Sequence, residues 1–253
     1  MKIKLIRNAT LRLKYGGTNI LIDPMLGPRH SISSFAGIED NPTIDLPMPI
    51  TEVLKKIDLL LISHLHQDHF DPKAQEIIDK SLPVLCQPGD RENIETHGFS
   101  HVTEIAGETR WRDISIQRTN GQHGTGRWAE RLNPVSGFVF DHPGEPTLYW
   151  IGDSIWCDEV QQALEKYRPD VIVTHSGGAE LKDSGPIIME TAQTITVCKT
   201  IPSATVIATH LEALDHCKTT RMALEKNAEE AGIEPSHLLI PGDGKVVEIQ
   251  EGI

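Results

Sequence analysis

The chain alternates between apolar runs of strand length and segments with helical spacing. Three N-terminal runs predict neighbouring strands, with a Gly16-Gly17 turn before the third: IKLI, TLRLKY and NILIDP. Later runs predict further strands, the last of them a terminal strand or hairpin: IDLLLIS, PVLCQP, ISIQRT, SGFVFDH, TLYWIGD, DVIVTH, ATVIATH and LLIPGDGKVVEI.

Helical spacing or helix-start signals occur between many of these strands. Asp71-Pro72 is typical of a helix start, because Asp is a preferred N-cap and proline is tolerated at the first helical position. The predicted helices are ITEVLKKI, KAQEIIDKS, RENIETHG, DEVQQALEKY, residues 186–199 and residues 219–231, the last closed by Gly232. Because strands come first and then alternate with helices, we expect one α/β domain over residues 1–253, with sheets covered by helices.

Residues 27–49 show no clear hydrophobic period and are rich in Gly, Pro, Ser and Asp. Irregular loops of this length are uncommon inside compact domains and are usually functional or mobile. We therefore expect this segment either to contribute to a binding site or to move.

The overall charge of the chain bears on its partners. Among 253 residues, 38% are hydrophobic and 24% are charged, as in ordinary globular proteins. The 24 Lys and Arg residues are outnumbered by 36 Asp and Glu, which gives a formal net charge of −12. Because an acidic surface repels phosphate backbones, this charge argues against nucleic acid as a partner.

Targeting signals and cysteine spacing indicate the compartment. The N-terminal segment reads as a strand and lacks the apolar core of a secretory signal, and no apolar run approaches the length that spans a bilayer. The cysteines are widely spaced and form no CxxC pair: Cys86, Cys157, Cys198 and Cys217. We therefore expect a cytoplasmic protein without a membrane span, and Cys157 as a small buried apolar residue.

The strongest chemical signal is the segment SHLHQDH at residues 63–69, which follows a buried apolar run. Alternate side chains of an extended chain point the same way, so His64 and His66 can bind one ion. Asp68 and His69 follow at the turn into the next helix and can face a second ion. Because Zn²⁺ and its neighbours prefer imidazole and carboxylate ligands, this segment predicts a metal site at the end of the strand.

Three more residues of metal-ligand type occupy similar positions. His123 follows ISIQRT, Asp153 ends TLYWIGD, and His210 ends ATVIATH. The C-terminal ends of strands are where α/β proteins gather their functional sites. A single residue of this kind more often caps a turn. Together with the first motif, the three predict a site for two metal ions.

The order HxHxDH, a distant His, Gly-Asp and a final His resembles the metallo-β-lactamase superfamily over nearly the whole chain. The resemblance implies a four-layer αββα sandwich with two metal ions at one edge, between the sheets. It also implies that a first ion is bound by His64, His66 and His123. A second ion is then bound by Asp68, His69 and His210, and Asp153 bridges the two ions.

Several segments are similar to the branch that contains ascorbate-6-phosphate lactonase and N-acyl-phosphatidylethanolamine phospholipase D: NATLRLKYGGTNILIDPML, QHGTGRW, SGFVF, TLYWIGDS and DVIVTHSGGAEL. The chain departs from that branch at two places near the expected site. His175 stands where the branch often has proline or another non-ligand, and residues 211–216 replace an aromatic-glycine pair that often follows the last histidine. Because of these departures, the substrates of the branch are not carried over.

The expected chemistry is hydrolysis. Two cations held close together lower the pKa of a bridging water toward about 7, which gives a metal-bound hydroxide at neutral pH. The hydroxide attacks a carbonyl carbon or a phosphorus while the metals stabilise the oxyanion. Asp68 or Asp153 can receive or relay the proton, so no serine or cysteine nucleophile is required.

Three residues outside the ligand set are candidates for further roles. His175 ends a strand, and its role is either structural or that of a hydrogen-bond partner, substrate contact or general acid. His216 can line the entrance or help to start the next helix. Arg29, in the 27–49 loop, can bind an anionic substrate group, although a solvated position is more common for such a residue.

Several alternatives stay open at this point. By analogy with the branch, we expect a small ester or lactone as the small-molecule substrate, with phosphodiester hydrolysis or a non-catalytic metal-binding module as alternatives. A flavin-dependent di-iron redox protein would have Glu in place of His66 and an added domain, and a nuclease would have an inserted domain or a basic arm. Zn²⁺ is the expected metal, Mn²⁺ and Fe²⁺ stay open, and a homo-oligomer is compatible with the sequence.

Overall fold

Fourteen strands and seven helices are present in the computed structural model, which describes residues 1–249. The strands are β1 (Lys2–Arg7), β2 (Thr10–Tyr15), β3 (Thr18–Ile22), β4 (Leu59–Ile62), β5 (Val84–Cys86), β6 (Val102–Glu104), β7 (Glu108–Trp111), β8 (Ile114–Asn120), β9 (Ser136–Asp141), β10 (Leu148–Trp150), β11 (Val171–His175), β12 (Thr205–Thr209), β13 (Leu238–Leu239) and β14 (Val246–Glu248). The helices are α1 (Ile50–Val53), α2 (Pro72–Ile77), α3 (Arg91–Thr96), α4 (Gly126–Leu132), α5 (Asp158–Tyr167), α6 (Thr191–Thr200) and α7 (Arg221–Glu230).

The strands form two mixed sheets of seven strands each. The first has the order β14-β1-β2-β3-β4-β5-β6, and the second has the order β13-β12-β11-β10-β9-β8-β7. Strands β3 to β6 are parallel to one another, as are β10 to β13, whereas the remaining pairs are antiparallel. Within each sheet, the parallel strands therefore end at a common edge, and β8 ends at the same edge as β10.

Alternate side chains of the central strands fill a core between the two sheets. Leu59 and Leu61 of β4 enter this core from the first sheet, and Trp150, Val171 and Val173 enter it from the second. Because successive side chains of a strand point to opposite faces, the residues between them face outward. The outward residues are apolar as well, which explains why these strands appear in the sequence as continuous apolar runs.

Helices cover both outer faces. Helices α1, α2 and α3 pack on the outward side chains of the first sheet, and α5, α6 and α7 pack on those of the second. Asp71 caps α2 as predicted, since its side chain accepts a hydrogen bond from the backbone of Ala74 and proline follows it. The four layers therefore confirm the predicted αββα sandwich.

Four regions differ from the elements predicted from the sequence. Helix α6 begins at Thr191 rather than at residue 186, because the backbone of Ile187 pairs with that of Ala179. The segment LLIPGDGKVVEI is not a hairpin: β13 joins the second sheet, and β14 joins the first. Strands β6 and β7 and helix α4 were not predicted, since much of their length faces solvent and gives no clear apolar pattern.

The long 27–49 loop is fastened to the body of the molecule by a buried cation. Arg7 of β1 has no exposed surface, and its guanidinium donates to the carbonyl oxygens of Ile44, Met25 and Gly27 at 3.0, 2.9 and 2.8 Å. The regular secondary structure within the loop is one isolated antiparallel β-bridge, between Ile32 and Asn41. Its conformation therefore depends on side-chain hydrogen bonds rather than on a helix or sheet.

The cysteines and the helices bear on two further expectations. All four cysteines are free thiols. Cys157 is half-buried rather than buried as predicted, and it packs against the apolar layer under α5, α6 and α7. Among residues 1–249, no helix combines the length and the apolar character needed to cross a membrane.

Candidate metal centre

The predicted ligands come together at the C-terminal ends of four strands. Residues 63–69 follow β4 of the first sheet, whereas His123, Asp153 and His210 follow β8, β10 and β12 of the second. All the ligand side chains are buried except that of His66, which is half-buried. The cluster therefore lies at the edge where the two sheets meet, which is where the resemblance implied it would be.

The turn after β4 positions the ligand-type side chains of residues 64–69. The backbone amides of His69 and Phe70 both donate to the carbonyl oxygen of His66, at 2.9 and 3.0 Å. This turn brings His69 back toward the strand end. It allows four ligand-type residues from one short segment to point into the same space.

One group of ligand atoms consists of His64, His66, His123 and Asp153. His64 Nε2 lies 2.9 Å from His66 Nδ1 and 3.8 Å from Asp153 Oδ2. His123 Nε2 lies 3.5 Å from the same carboxylate oxygen. These four side chains come from three different strand ends, so only the folded chain assembles them.

A second group of ligand atoms that lie close together consists of His69, Asp153, His175 and His210. His69 Nε2 is 3.1 Å from Asp153 Oδ2 and 3.3 Å from Asp68 Oδ2. His210 Nε2 is 3.1 Å from Asp68 Oδ2 and 3.8 Å from Asp153 Oδ1. Asp153 thus contacts members of both groups, while Asp68 belongs with His69 and His210.

The spacing and the chemistry of these donors fit a divalent metal. Two ligand atoms at 2.0–2.2 Å from a tetrahedral Zn²⁺ ion are roughly 3.3–3.6 Å apart. The shorter separations within the cluster include values from 2.9 to 3.8 Å, on both sides of that range, and all ligand atoms of a group lie within 4.8 Å of one another. Imidazole nitrogens with a few carboxylate oxygens, and no sulfur, are ligands suited to zinc and its first-row neighbours.

Further residues hold the imidazoles in place through their other ring nitrogens. Asp23 accepts a hydrogen bond from His69 Nδ1 at 2.7 Å, and the carbonyl oxygen of Ile187 accepts one from His123 Nδ1 at 2.7 Å. Ser63 Oγ lies 2.9 Å from His64 Nδ1. Such partners fix the tautomer and the ring orientation of a metal-binding histidine.

Asp23 is a residue that the sequence analysis did not single out. It is fully buried just after β3, and it also accepts hydrogen bonds from the backbone amide and the hydroxyl of Ser63, at 2.8 and 2.7 Å. A signal was available, because Asp23 directly follows the apolar residues of NILIDP, much as Asp153 ends TLYWIGD.

Burial and charge set the protonation of the cluster. Burial, with nearby histidines, lowers the pKa of His64, and burial lowers the pKa of His123 to about 4. Burial opposes the charged form of His210, but Asp153 and Asp68 outweigh it and raise its pKa to about 10. Burial also opposes ionisation of Asp153, but His69 and His210 outweigh it and hold the pKa of that carboxyl well below its usual range. The cluster therefore contains ionised carboxylates that attract positive charge.

His175 lies behind Asp153 rather than in the pocket. Its Nδ1 donates to Asp153 Oδ1 at 2.6 Å, and its ring packs edge-on against Trp150 with the ring centroids 4.8 Å apart. The side chain is fully buried and is absent from the residues that line the pocket beside the cluster. Of the roles predicted for His175, that of a partner to a metal ligand fits this position, and a role as substrate contact or general acid stays a prediction.

A pocket of about 300 Å³ opens beside the cluster. Its walls are formed by ligands, by the polar residues Gln67 and His216, and by apolar residues, which are Phe35, Leu65, Leu132, Ala179, Leu181, Ile187 and Ile188. His216 is buried and packs edge-on against Phe35, with the ring centroids 5.1 Å apart. The structure therefore places His216 in the pocket wall, which agrees with one of the two roles predicted from the sequence.

Arg29 is not brought to this pocket. Its guanidinium is about half exposed and forms an ion pair with Glu39 at 2.8 Å, within the 27–49 loop. The charge of Arg29 is thus paired with a local acidic partner, and its role in binding the substrate stays a prediction that this position does not support. A larger groove of about 1000 Å³ runs between α7 and the terminal strands, but none of the predicted ligands lines it.

Comparison with known protein families agrees with this geometry. Residues 18–211 match the family model of the beta-lactamase superfamily domain. The chain is 34% identical over 253 residues to the UPF0173 protein YddR of Bacillus subtilis, covering 97% of this chain and 98% of that protein.

Two solved structures are similar over almost their whole length. A possible metal-dependent hydrolase from Veillonella parvula is 31% identical, with a TM-score of 0.95 over 98% of this chain and 99% of that one. An isothiocyanate hydrolase from Delia radicum gut bacteria is 35% identical, with a TM-score of 0.94 over 98% of this chain and 99% of that one. The chain therefore belongs to the beta-lactamase superfamily and is a metal-dependent hydrolase of the metallo-β-lactamase fold.

Proposed function

We propose that the chain hydrolyses a small uncharged substrate with an apolar group, and that isothiocyanates are the first class to test. The observation that carries this proposal is the lining of the pocket beside the ligand cluster. Seven of its lining side chains are apolar, and no lysine or arginine is found among the described residues that line it.

This lining favours an uncharged substrate over a phosphodiester. Proteins that bind phosphate commonly supply Arg or Lys to match its negative charge. An apolar substituent instead gains about 25 cal/mol for each Å² that it buries against walls such as Leu132, Leu181 and Ile187. Attack at an electrophilic carbon therefore suits this pocket better than attack at phosphorus.

The similarity to an isothiocyanate hydrolase supports the choice of class, since that protein is 35% identical over 98% of this chain. Isothiocyanates are small and uncharged, and their central carbon is electrophilic because it lies between nitrogen and sulfur. Water adds across the C=N bond, forming one C–O and one N–H bond, to give a thiocarbamic acid. Loss of carbonyl sulfide then leaves a primary amine, so one water is consumed and no oxidant is needed.

In this proposal the cluster holds two divalent ions, of which Zn²⁺ is the first choice. The first ion would be bound by His64, His66 and His123. The second ion would be bound by Asp68, His69 and His210, and Asp153 would bridge the two ions. Bound cations would lower the pKa of water toward about 7 and so supply hydroxide at neutral pH.

The carboxylates that line the pocket handle the proton. Asp68 and Asp153 both border the pocket, so either can accept a proton from the water that attacks the substrate. Asn8 donates to Asp68 Oδ2 at 3.3 Å and to the backbone oxygen of the same residue at 3.2 Å, which fixes the orientation of that carboxylate. His216 supplies a polar contact for the substrate on an otherwise apolar wall.

Esters and lactones, the substrates predicted from the sequence, form the second class to test. Their carbonyl carbon is also electrophilic, and an uncharged lactone would contact the same apolar walls. The pocket lies at the small end of the usual 300–1,000 Å³ range for ligand sites, which favours compact substrates of either class.

The test uses purified protein loaded with Zn²⁺ or Mn²⁺. Allyl and phenethyl isothiocyanate are added, and the release of the primary amine is measured beside turnover of γ-butyrolactone, p-nitrophenyl acetate and bis(p-nitrophenyl) phosphate. The control is Asp153→Asn, which keeps the shape of the side chain but removes its charge. We expect amine release by the wild type and none by the variant.

The other outcomes are equally informative. Turnover of the lactone without amine release would show that esters and lactones, rather than isothiocyanates, are the substrate class. Turnover of the phosphodiester alone would contradict the proposal, because the pocket would then process a charged substrate without a lining cation.

A further inference from the structure

One carboxylate fastens the part of the 27–49 loop that reaches the pocket. Asp215 accepts hydrogen bonds from the backbone amides of Phe35 and Ala36, at 3.2 and 3.0 Å, and from the side chain of Asn41 at 3.0 Å. It also accepts one from the hydroxyl of Ser34 at 2.5 Å. Asn41 in turn accepts a hydrogen bond from the backbone amide of Asp215 at 2.8 Å. The loop is therefore fixed to the chain just after His210.

The same attachment places Phe35 against the pocket. Asp215 is followed directly by His216, whose ring packs edge-on against that of Phe35 with the centroids 5.1 Å apart. Both rings line the pocket. Behind them, Met25, Ile32 and Leu214 form a small apolar cluster with Phe35.

The environment of Phe35 differs from that of the inner walls. Ile187 and Ile188 are buried, whereas Phe35 is half-buried, as are the lining residues Leu65, Leu132 and Leu181. The neighbouring Ile38 is 68% exposed and does not line the pocket. Phe35 is thus the apolar side chain of this loop that a bound substrate can meet.

We propose that Phe35 determines substrate specificity: its ring, held by Asp215 against His216, limits the length of the apolar group that the pocket accepts. This inference deepens the proposed function and rests on it for the identity of the reacting group. Asp215 is a positioning residue, since it acts on the substrate through the loop. Removal of the ring opens the pocket toward solvent and lets longer groups extend past the loop.

The experiment compares the wild type with Phe35→Ala and Phe35→Leu, with Ile38→Ala as a matched control from the same loop. The ratio of kcat/KM for phenylbutyl isothiocyanate to that for allyl isothiocyanate is measured for each protein. We expect Phe35→Ala to raise this ratio by about tenfold, since a difference of one methylene in a hydrophobic pocket is worth about 10–200-fold. Phe35→Leu is expected to give a smaller increase, and Ile38→Ala none.

Binding of inert ligands separates this inference from the proposed function. Propionohydroxamic and decanohydroxamic acids chelate a metal whichever bond the enzyme cleaves, so their dissociation constants are measured by calorimetry on the Zn²⁺-loaded proteins. If the wild type releases no amine but Phe35→Ala still shifts preference toward the longer hydroxamate, the proposed function fails and the inference stands. Unchanged long-to-short ratios for both ligand types in folded Phe35→Ala and Phe35→Leu proteins would overturn the inference.

Discussion

His175 Nδ1 donates a hydrogen bond to Asp153 Oδ1 at 2.6 Å, and this contact fixes the carboxylate that both ligand groups share. Because Oδ1 is engaged in this way, Oδ2 is left facing His69 and His123, at 3.1 and 3.5 Å. The other ring nitrogen of His175 is buried and has no partner within residues 1–249. The contact therefore indicates that His175 orients Asp153, beside His69 and His210 of the second ligand group.

We expect His175→Ala to weaken metal binding by about 10–100-fold, the usual effect of removing a partner of a metal ligand. His175→Asn places an amide nitrogen close to the position of Nδ1, so it is expected to restore most of the affinity. Titration of the metal-free proteins with Zn²⁺ in the presence of a chromophoric chelator measures this directly. Equal Zn²⁺ affinities for the wild type and His175→Ala would show that His175 does not support metal binding and has a structural role only.

Asp23 is expected to act in the same way on His69. Its backbone has φ of 45°, in the left-handed region, which Asn tolerates better than most residues, so Asp23→Asn changes the charge with little strain. We expect a drop of about tenfold in Zn²⁺ affinity, because a neutral amide is a weaker acceptor for the imidazole. The chelator titration applies here too, with Asp58→Asn as a control far from the cluster. No change in affinity would show that the Asp23 contact is dispensable.

Arg7 is expected to be important for stability. Its replacement by Met leaves the buried carbonyl oxygens of Met25 and Gly27 without donors, at a cost of about 3 kcal/mol in the free energy of unfolding. Arg12 also donates to two carbonyl oxygens, but these hydrogen bonds are exposed to solvent, so Arg12→Met is expected to lose less than about 1 kcal/mol. Urea unfolding of both variants gives the comparison, and equal losses would contradict this account of the loop.

Asp90 is expected to make stability depend on pH. Its Oδ2 is buried without a partner within residues 1–249, and burial raises the pKa of the carboxyl to about 6. An acid whose pKa is raised by folding destabilises the fold when ionised, so the penalty is present above pH 6 and fades toward its ordinary pKa of 3.8. Asp90→Asn should therefore raise the Tm at about pH 8 and leave it unchanged at about pH 4. A similar rise at both pH values would show that charge is not the cause.

Several features of the site could be predicted because the ligands directly follow buried strands. The apolar runs before His64, Asp153 and His210 are long enough to be recognised, and the ends of parallel strands meet at one edge. The helices cover the outer faces of both sheets, so these strands are apolar on both faces. Their sequences are therefore continuous apolar runs rather than alternating apolar and polar residues. The positions of these ligands and the fold class could therefore be predicted from the sequence.

The pocket walls could not be predicted in the same way. Phe35 and Asp215 are 180 positions apart, and no local pattern marks that pair. Arg29 carries a charge that suits an anionic substrate, but this charge is paired with Glu39, ten positions away. Contacts that depend on how an irregular loop folds back carry little signal in hydrophobic periodicity.

The most direct test of the metal centre is elemental analysis of the purified protein beside the His64→Ala/His66→Ala double variant. We expect about two equivalents of Zn, Mn or Fe per chain in the wild type, as in binuclear sites of this type, and a large loss in the variant. A wild-type protein that holds no metal, even after incubation with Zn²⁺ and Mn²⁺, would contradict the account and favour a binding module that has lost its catalytic centre.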